Sequence, residues 1–147
     1  MLRRTFRVRA RPEETWARLA DVATWPEWAR HIRSVTLEPA GPLGPRSRGA
    51  IRLGNGVRST FAVTEFEAGR RWRWAGPFLW LRVDYDHVVE ADPGGGARVT
   101  FRVEATGALS STVGRLFAWV YARNLDRAIP RLQAALGGDP AASSTGM

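Results

Sequence analysis

The stretch from Ser110 to Leu136 constrains the fold of this chain more than any other segment. From Val113 onward its apolar residues recur every three or four positions for about seven turns, which is the spacing of an amphipathic α-helix. The stripe consists of Val113, Leu116, Phe117, Val120, Tyr121, Leu125, Ala128, Ile129, Leu132 and Leu136. Because the segments before it have the patterns of short strands and two brief helices, we expect this helix to lie across the concave face of an antiparallel sheet.

Three residues interrupt the apolar pattern of the long helix. Gly114 lowers helix propensity, and Pro130 removes one main-chain hydrogen bond, so we expect a kink near Ala128 to Pro130. Asn124 falls on the same side as Phe117 and Val120, which places an amide where an apolar side chain would be expected.

The rest of the chain has the patterns of about seven strands. Apolar and polar residues alternate from Leu2 to Ala10, as in a half-buried strand, and Asn55-Gly56 is a strong hairpin signal. Pro12 stands at a first helical position, and Thr24 with Glu27 has capping-box spacing, which predicts that a second short helix begins there.

The last hairpin, formed by Leu81 to Ala91 and Ala97 to Ala105, allows a prediction of register. A loop at Pro93 to Gly95 places salt bridges on the outer face and apolar pairs on the inner face. The predicted outer pairs are Glu90 with Arg98 and Asp86 with Arg102; the inner pairs are Val89 with Val99, His87 with Phe101 and Tyr85 with Val103.

This register separates candidate site residues from structural ones. Tyr85 and His87 are expected on the concave face, under the long helix, whereas Asp84, Asp86 and Glu90 are expected outside with arginine partners rather than as a catalytic carboxylate pair.

Composition narrows the classes of protein that fit. The 147 residues suit one domain, expected at residues 1–137, with a disordered tail at 138–147. There is no cysteine, which excludes disulfides and thiolate metal sites, and the basic N-terminus is not followed by an apolar run, so we expect no signal peptide and a cytoplasmic location. The net charge of +8 comes from scattered arginines without any nucleic-acid-binding signature, so no nucleic-acid partner is expected.

Seven tryptophans in so short a chain indicate a large aromatic core or an aromatic-lined cavity. The polar residues expected inside it are Tyr85, His87, Tyr121, Asn124 and Glu65. His87 could serve as a general acid or base on a bound carbonyl compound, with Tyr85 or Asn124 polarising the carbonyl oxygen; alternatively each is a core polar residue with a satisfied hydrogen bond. No metal-ligand cluster, P-loop or nucleophile motif is present, and no cofactor is expected.

Two loops have patterns that suggest a role in binding. Ala40 to Gly49 is rich in proline and glycine and is long for a plain connection, so it could act as a flap at a cavity mouth. The apolar turn Pro77, Phe78, Leu79 and Trp80 is either folded over the core or a hydrophobic tip that contacts an anionic membrane through nearby arginines.

The order of elements, one strand, two short helices, a six-strand meander and a long C-terminal helix, resembles the helix-grip fold. Arg11-Pro12-Glu13-Glu14-Thr15-Trp16 and Trp25-Pro26-Glu27-Trp28 are similar to the opening of the START-like (SRPBCC) superfamily, in its polyketide cyclase/dehydrase-like branch. Val63-Thr64-Glu65-Phe66 and Gly96-Ala97-Arg98-Val99-Thr100 are similar to the central and last strands of that family.

The resemblance implies an α+β fold in which a curved antiparallel sheet of about seven strands wraps around the C-terminal helix, with a cavity between them for a hydrophobic small molecule. The positions that correspond to the cavity are Trp28, Trp72, Trp74, Tyr85, His87, Phe101, Phe117, Tyr121 and Asn124. Three functions stay open: a binding protein for a lipid, polyketide or quinone-like molecule, a polyketide cyclase or dehydratase that uses His87, and a membrane-docking lipid carrier.

Overall fold

The computed structural model describes residues 2–108 and 111–137. Within that part the chain forms seven strands, two α-helices and one 3₁₀ helix. The elements are β1 (Leu2–Val8), α1 (Pro12–Ala20), the 3₁₀ helix (Val22–Glu27), β2 (Ile32–Glu38), β3 (Arg48–Leu53), β4 (Arg58–Glu67), β5 (Arg71–Phe78), β6 (Leu81–Ala91), β7 (Ala97–Thr106) and α2 (Val113–Ala135).

All seven strands join one open, curved antiparallel sheet. Its order is β1-β7-β6-β5-β4-β3-β2, so β1 and β2 are the two edge strands. The two short helices follow β1, and α2 closes the fold. The predicted α+β helix-grip architecture is therefore confirmed.

The predicted register of the last hairpin is also confirmed. Tyr85 lies opposite Val103, and His87 lies opposite Phe101. The ion pairs, however, differ from those expected: Asp86 is bound by Arg71 at 3.2 Å and Arg73 at 3.4 Å, both on β5, rather than by its cross-strand neighbour on β7. The register fixes which face a side chain occupies, but long arginine side chains reach diagonally and across to either neighbouring strand.

A β-bulge in β4 overturns the predicted position of Glu65. The register between β4 and β5 shifts between Val63 and Glu65. The extra residue inverts the alternation of side chains beyond it, so Phe66 packs inward and Glu65 is exposed, with its carboxylate 2.9 Å from the guanidinium of Arg71. Glu65 therefore belongs to the outer face and not to the interior.

The face that α2 turns to the sheet is narrower than the predicted stripe. Its buried residues are Gly114, Leu125, Ala128 and Leu132. Leu116 and Val120 are 64% and 46% exposed, so their assignment to the buried stripe was wrong. At 3.6 residues per turn both lie well away from the row of buried positions, although each is three or four residues from another apolar residue.

The second half of α2 is tied to β1 and the residues that follow it. Arg4 donates a hydrogen bond of 2.8 Å to Asp126, and the side-chain amide of Gln133 donates to the carbonyl of Arg7 at 2.9 Å. Ala10 N–H donates to the carbonyl of Leu136 at 3.0 Å. The helix continues through Pro130, and Gly137, with φ of 90°, follows its end.

The second short helix begins earlier than its sequence suggests. It is a 3₁₀ helix with Asp21 at its N-cap position, and Thr24 lies inside it, where its hydroxyl donates to the carbonyl of Asp21 at 2.7 Å. The predicted capping box at Thr24 and Glu27 is therefore wrong. Trp25 lies within this 3₁₀ helix and is a buried core residue, so the helix contributes a ring to the candidate site.

Candidate ligand-binding site

One half of the concave face is a closely packed aromatic cluster around His87. The imidazole stacks on Trp72 with ring centres 4.2 Å apart and an interplanar angle of 11°. Trp74, Phe101 and Trp25 surround it at centroid distances of 5.0, 5.6 and 5.8 Å. Because Trp25 belongs to the 3₁₀ helix, His87 is covered by that helix; among the described residues no ring of α2 contacts it.

Burial controls the charge of His87. The side chain is 4% exposed, and loss of hydration lowers the pKa of His87 to about 4. A contact of 3.3 Å between Nδ1 and the carbonyl oxygen of Trp72, together with the nearby Asp86, opposes that shift without cancelling it. At neutral pH the imidazole is therefore uncharged, with Nδ1 placed to donate to that carbonyl.

The other half of the concave face lies under the first half of α2 and is built from tyrosine and phenylalanine. The rings of Tyr85 and Tyr121 are 5.7 Å apart, and Phe117 is 6.4 Å from Tyr85 and 5.8 Å from Tyr121. Phe78, at the end of β5, packs against Phe117 at 4.6 Å. These rings form an aromatic wall between sheet and helix, and Asn124, three residues after Tyr121, lies on the same side of α2. We call Phe78, Tyr85, Phe117, Tyr121 and Asn124 the tyrosine pocket, as a name for this group of side chains.

The polar groups of the tyrosine pocket have no hydrogen-bond partner within the described part of the chain. Tyr85, Tyr121 and Asn124 are half-buried, and none of their side chains makes a hydrogen bond to another residue in 2–108 or 111–137. Some side-chain polar atoms of that region are fully enclosed and lack a hydrogen-bond partner, among them the indole nitrogens of Trp28 and Trp72, but the polar atoms of Tyr85, Tyr121 and Asn124 are not in this set. The two hydroxyls and the amide therefore keep access to solvent or to a ligand.

Desolvation also sets the protonation state of the two tyrosines. Burial raises the pKa of Tyr85 and that of Tyr121 above the ordinary value of 10.0, and for Tyr85 the neighbouring phenol adds to the effect. Both phenols are protonated at neutral pH, so each offers one O–H donor as well as acceptor lone pairs.

The structure thus divides the nine predicted site residues into two groups. Five belong to the packed cluster: Trp28, Trp72, Trp74, His87 and Phe101. Four line the tyrosine pocket: Tyr85, Phe117, Tyr121 and Asn124. Sequence reasoning missed Trp25 and Phe78, although Phe78 continues the alternation of Trp72 and Trp74 along β5 and could have been found from that period of two.

Two surface pockets are described, and none of the nine predicted residues lines either of them. The first, of about 660 Å³, lies between α1, β2 and the start of the proline-rich loop. Its lining includes Trp16, Ala20, Val35, Leu37, Pro42 and Leu43. The second, of about 550 Å³, lies where α1 meets the end of α2 and includes Arg9, Arg18 and Leu136. The loop that was expected to cover a cavity mouth therefore forms one wall of the first pocket, with Leu43 buried as its anchor.

Two further features bear on function in residues 2–108 and 111–137: clusters of metal-ligating side chains and helices that could cross a membrane. No group of three or more His, Cys, Asp or Glu side chains there could hold a metal ion. None of the helices described is long and apolar enough to cross a membrane.

Comparison with known proteins identifies relatives of the whole chain. The model of the family described as "Polyketide cyclase / dehydrase and lipid transport" matches residues 2–137. No curated protein sequence matches the chain.

Solved structures with the same fold are distant in sequence. A Deinococcus radiodurans protein is 22% identical with a TM-score of 0.54, over 84% of this chain and 96% of that one. A Thermobifida fusca protein is 17% identical with a TM-score of 0.70, over 92% of each chain. The di-domain ARO/CYC StfQ from the steffimycin biosynthetic pathway is 12% identical with a TM-score of 0.71, over 99% of this chain and 51% of StfQ. At these identities the likeness shows the fold alone.

Proposed function

The chain belongs to the polyketide cyclase/dehydrase and lipid transport family of START-like proteins, and from this premise we propose that it binds a hydrophobic or aromatic small molecule in the tyrosine pocket. The ligand class is a lipid, a polyketide or a quinone-like compound. The observation that carries the proposal concerns three polar groups within an otherwise aromatic wall. Those of Tyr85, Tyr121 and Asn124 have no hydrogen-bond partner among residues 2–108 and 111–137.

The chemistry of these groups restricts the ligand further. Half-buried hydroxyl and amide groups without partners lose hydration without gaining a protein hydrogen bond, and a bound molecule can supply that bond. Protonated phenols donate, so the ligand should present oxygen acceptors such as carbonyls near Tyr85 and Tyr121. The rings of Phe78 and Phe117 favour a flat or aliphatic body.

The relatives support this class of ligand without naming one. The family description combines polyketide chemistry with lipid transport, and StfQ is described as an ARO/CYC of a biosynthetic pathway. The family description thus names two of the proposed ligand classes, polyketides and lipids.

The first experiment is mass spectrometry of the freshly purified protein, native and then denatured, to detect a small molecule that leaves on unfolding. A naphthoquinone and an anthraquinone then serve as probes in calorimetric titrations. We expect Asn124→Leu or the pair Tyr85→Phe and Tyr121→Phe to weaken binding of a probe by about two- to tenfold for each hydrogen bond lost.

The matched control is Gln133→Leu, which removes an amide from the same helix that is already engaged with the carbonyl of Arg7. It should leave affinity unchanged. If the Asn124 and tyrosine variants bind the probes as tightly as the unmodified protein does, the tyrosine pocket is not the binding site.

A cyclase or dehydratase activity is the second candidate. Tyr85 and His87 lie two residues apart on the inner face of β6, opposite Val103 and Phe101, so a ligand in the tyrosine pocket is next to the imidazole cluster. With its pKa at about 4, His87 suits a general base better than a general acid at neutral pH. Loss of turnover in His87→Gln with the fold intact supports this role, and unchanged turnover removes it.

Peripheral contact with an anionic membrane through Pro77, Phe78, Leu79 and Trp80 is a further part of the proposal, as is a cytoplasmic location. Leu79 and Trp80 form the turn between β5 and β6 and are 67% and 56% exposed. Phe78 packs against Phe117, so Leu79 and Trp80 supply the tip.

A further inference from the structure

The outward face of the first half of α2 carries large apolar side chains that are exposed in the described part of the chain. Leu116, Trp119 and Val120 are 64%, 58% and 46% exposed, on the side of the helix opposite the buried row. A surface helix normally presents polar residues there, because water-facing apolar area is unfavourable. Contiguous exposed apolar residues of this size mark an interaction surface.

This face is close to the apolar tip of the β5–β6 turn. Phe78, at the base of the tip, contacts Phe117 of α2 at a centroid distance of 4.6 Å. The indole N–H of Trp80 donates a 2.6 Å hydrogen bond to the carbonyl of Ala108, in the segment that leads to α2. Tip and helix face therefore lie at the same end of the molecule, and together they present five large apolar side chains; we call Leu79, Trp80, Leu116, Trp119 and Val120 the apolar end.

Charge identifies the partner. The charged residues of α2 are four exposed arginines, 115, 123, 127 and 131, and one acid, Asp126, which is engaged by Arg4. The guanidinium of Arg123 lies over the ring of Trp119 at 5.1 Å, so a cation directly borders the apolar side chains. Tryptophan and leucine next to arginine on a helix face is the pattern of helices that lie in the interface of an anionic bilayer.

We infer that the apolar end, with Arg123 and Arg127 beside it, docks on an anionic lipid surface, with the first half of α2 lying in the plane of the interface. A second copy of this chain fits less well, because a face-to-face dimer would bring the arginine rows of two molecules, each with a net charge of +8, against each other. The inference rests on the membrane contact proposed above for the β5–β6 tip and extends it to α2; it holds whether or not the tyrosine pocket binds a ligand.

The test is flotation of the full chain with vesicles of phosphatidylcholine alone or with about one third phosphatidylglycerol, at low salt and at about 0.5 M salt. We expect binding to the anionic vesicles that weakens with salt. The pair Leu116→Gln and Trp119→Gln should weaken it about tenfold or more, and the pair Arg123→Gln and Arg127→Gln by about fivefold per arginine.

Two controls match these variants. Val57→Gln changes an equally exposed apolar residue, 53% exposed, on the β3–β4 turn, and Arg46→Gln with Arg58→Gln removes the same charge elsewhere on the surface. Both should bind nearly as the unmodified protein does. Melting curves verify that the variants fold, which the exposure of all the changed residues leads us to expect.

Three results would overturn the inference. One is no flotation with anionic vesicles at low salt, and another is unchanged flotation of the Leu116 and Trp119 variant. The third is a dimer of the unmodified protein, detected by light scattering, that the Leu116 and Trp119 variant no longer forms, while neither of these two proteins binds vesicles. That result would assign the apolar end to a second copy of the chain.

Discussion

Acidification from pH 7 to pH 5 should destabilise the protein through His87 more than through any single exposed group. The folded-state pKa of His87, about 4, lies below its ordinary value of 6.5, so between these values the unfolded chain binds more protons than the folded one. Stability therefore falls as the pH falls through this window, and the loss is complete below about pH 4. Linkage gives a loss of about 2 kcal/mol from pH 7 to pH 5, approaching about 3 kcal/mol below pH 4.

Urea unfolding of the unmodified protein and of His87→Gln at pH 7, 6 and 5 measures the contribution of His87 to stability. The contributions of the carboxylates cancel when the free energies of unfolding of the two proteins are subtracted. The free-energy gap between the two proteins should shift by about 2 kcal/mol in favour of the variant as the pH falls to 5. His31→Gln, which removes the other histidine, should keep most of the pH dependence of the unmodified protein.

A direct observation covers the case in which His87→Gln does not fold. In the NMR spectrum of the unmodified protein, the imidazole protons of His87 should not titrate between pH 7 and pH 5. A titration midpoint near 6.5 would refute the reasoning, since it would mean that the aromatic cluster does not exclude water from the ring.

Two further predictions concern the framework. Asp86→Asn should lower the free energy of unfolding by about 3–5 kcal/mol, because it removes the carboxylate that lies between two arginines of β5 at a buried position. Asp84 is more exposed, so Asp84→Asn should lower it by less than about 1 kcal/mol. Equal effects of the two substitutions in urea unfolding would contradict the assigned burial. Gly76→Ala should lower the free energy of unfolding by about 1–3 kcal/mol or more, because a Cβ there would overlap the carbonyl oxygen of Thr60. Gly44 has open space around it, so the Gly44→Ala variant should melt within a few degrees of the unmodified protein.

Much of the fold could be predicted because local patterns and the final packing agree. Alternation of side chains placed Tyr85 and His87 on the inner face with the correct cross-strand partners, and helical spacing located α2. Failures occurred where one residue changes the phase of a pattern. The bulge before Glu65 inverted the alternation in β4, and its signal in the sequence is the spacing of the inward residues Phe61, Val63 and Phe66, which departs from a period of two.

The candidate site was less predictable than the fold. Sequence periodicity reports which face a residue occupies but not which element covers it, so His87 was expected under α2 and lies under Trp25 instead. Leu116 and Val120 were assigned to the buried stripe because an apolar residue on a helix was assumed to face the protein. In the folded chain the buried side of α2 is that of Leu125 and Leu132, which leaves Leu116 and Val120 exposed.

The division of the concave face into a tryptophan–histidine cluster and a tyrosine pocket affects how this protein can evolve. Fully buried side chains such as Trp72 and Trp74 sustain the core, whereas Phe117, Tyr121 and Asn124 are only partly enclosed, at the end of α2 that is not tied to β1. Substitutions at the second set can therefore explore new ligands with little loss of stability, and substitutions at the first set cannot. A scaffold that separates folding residues from contact residues in this way can diversify its binding specificity while its architecture stays constant.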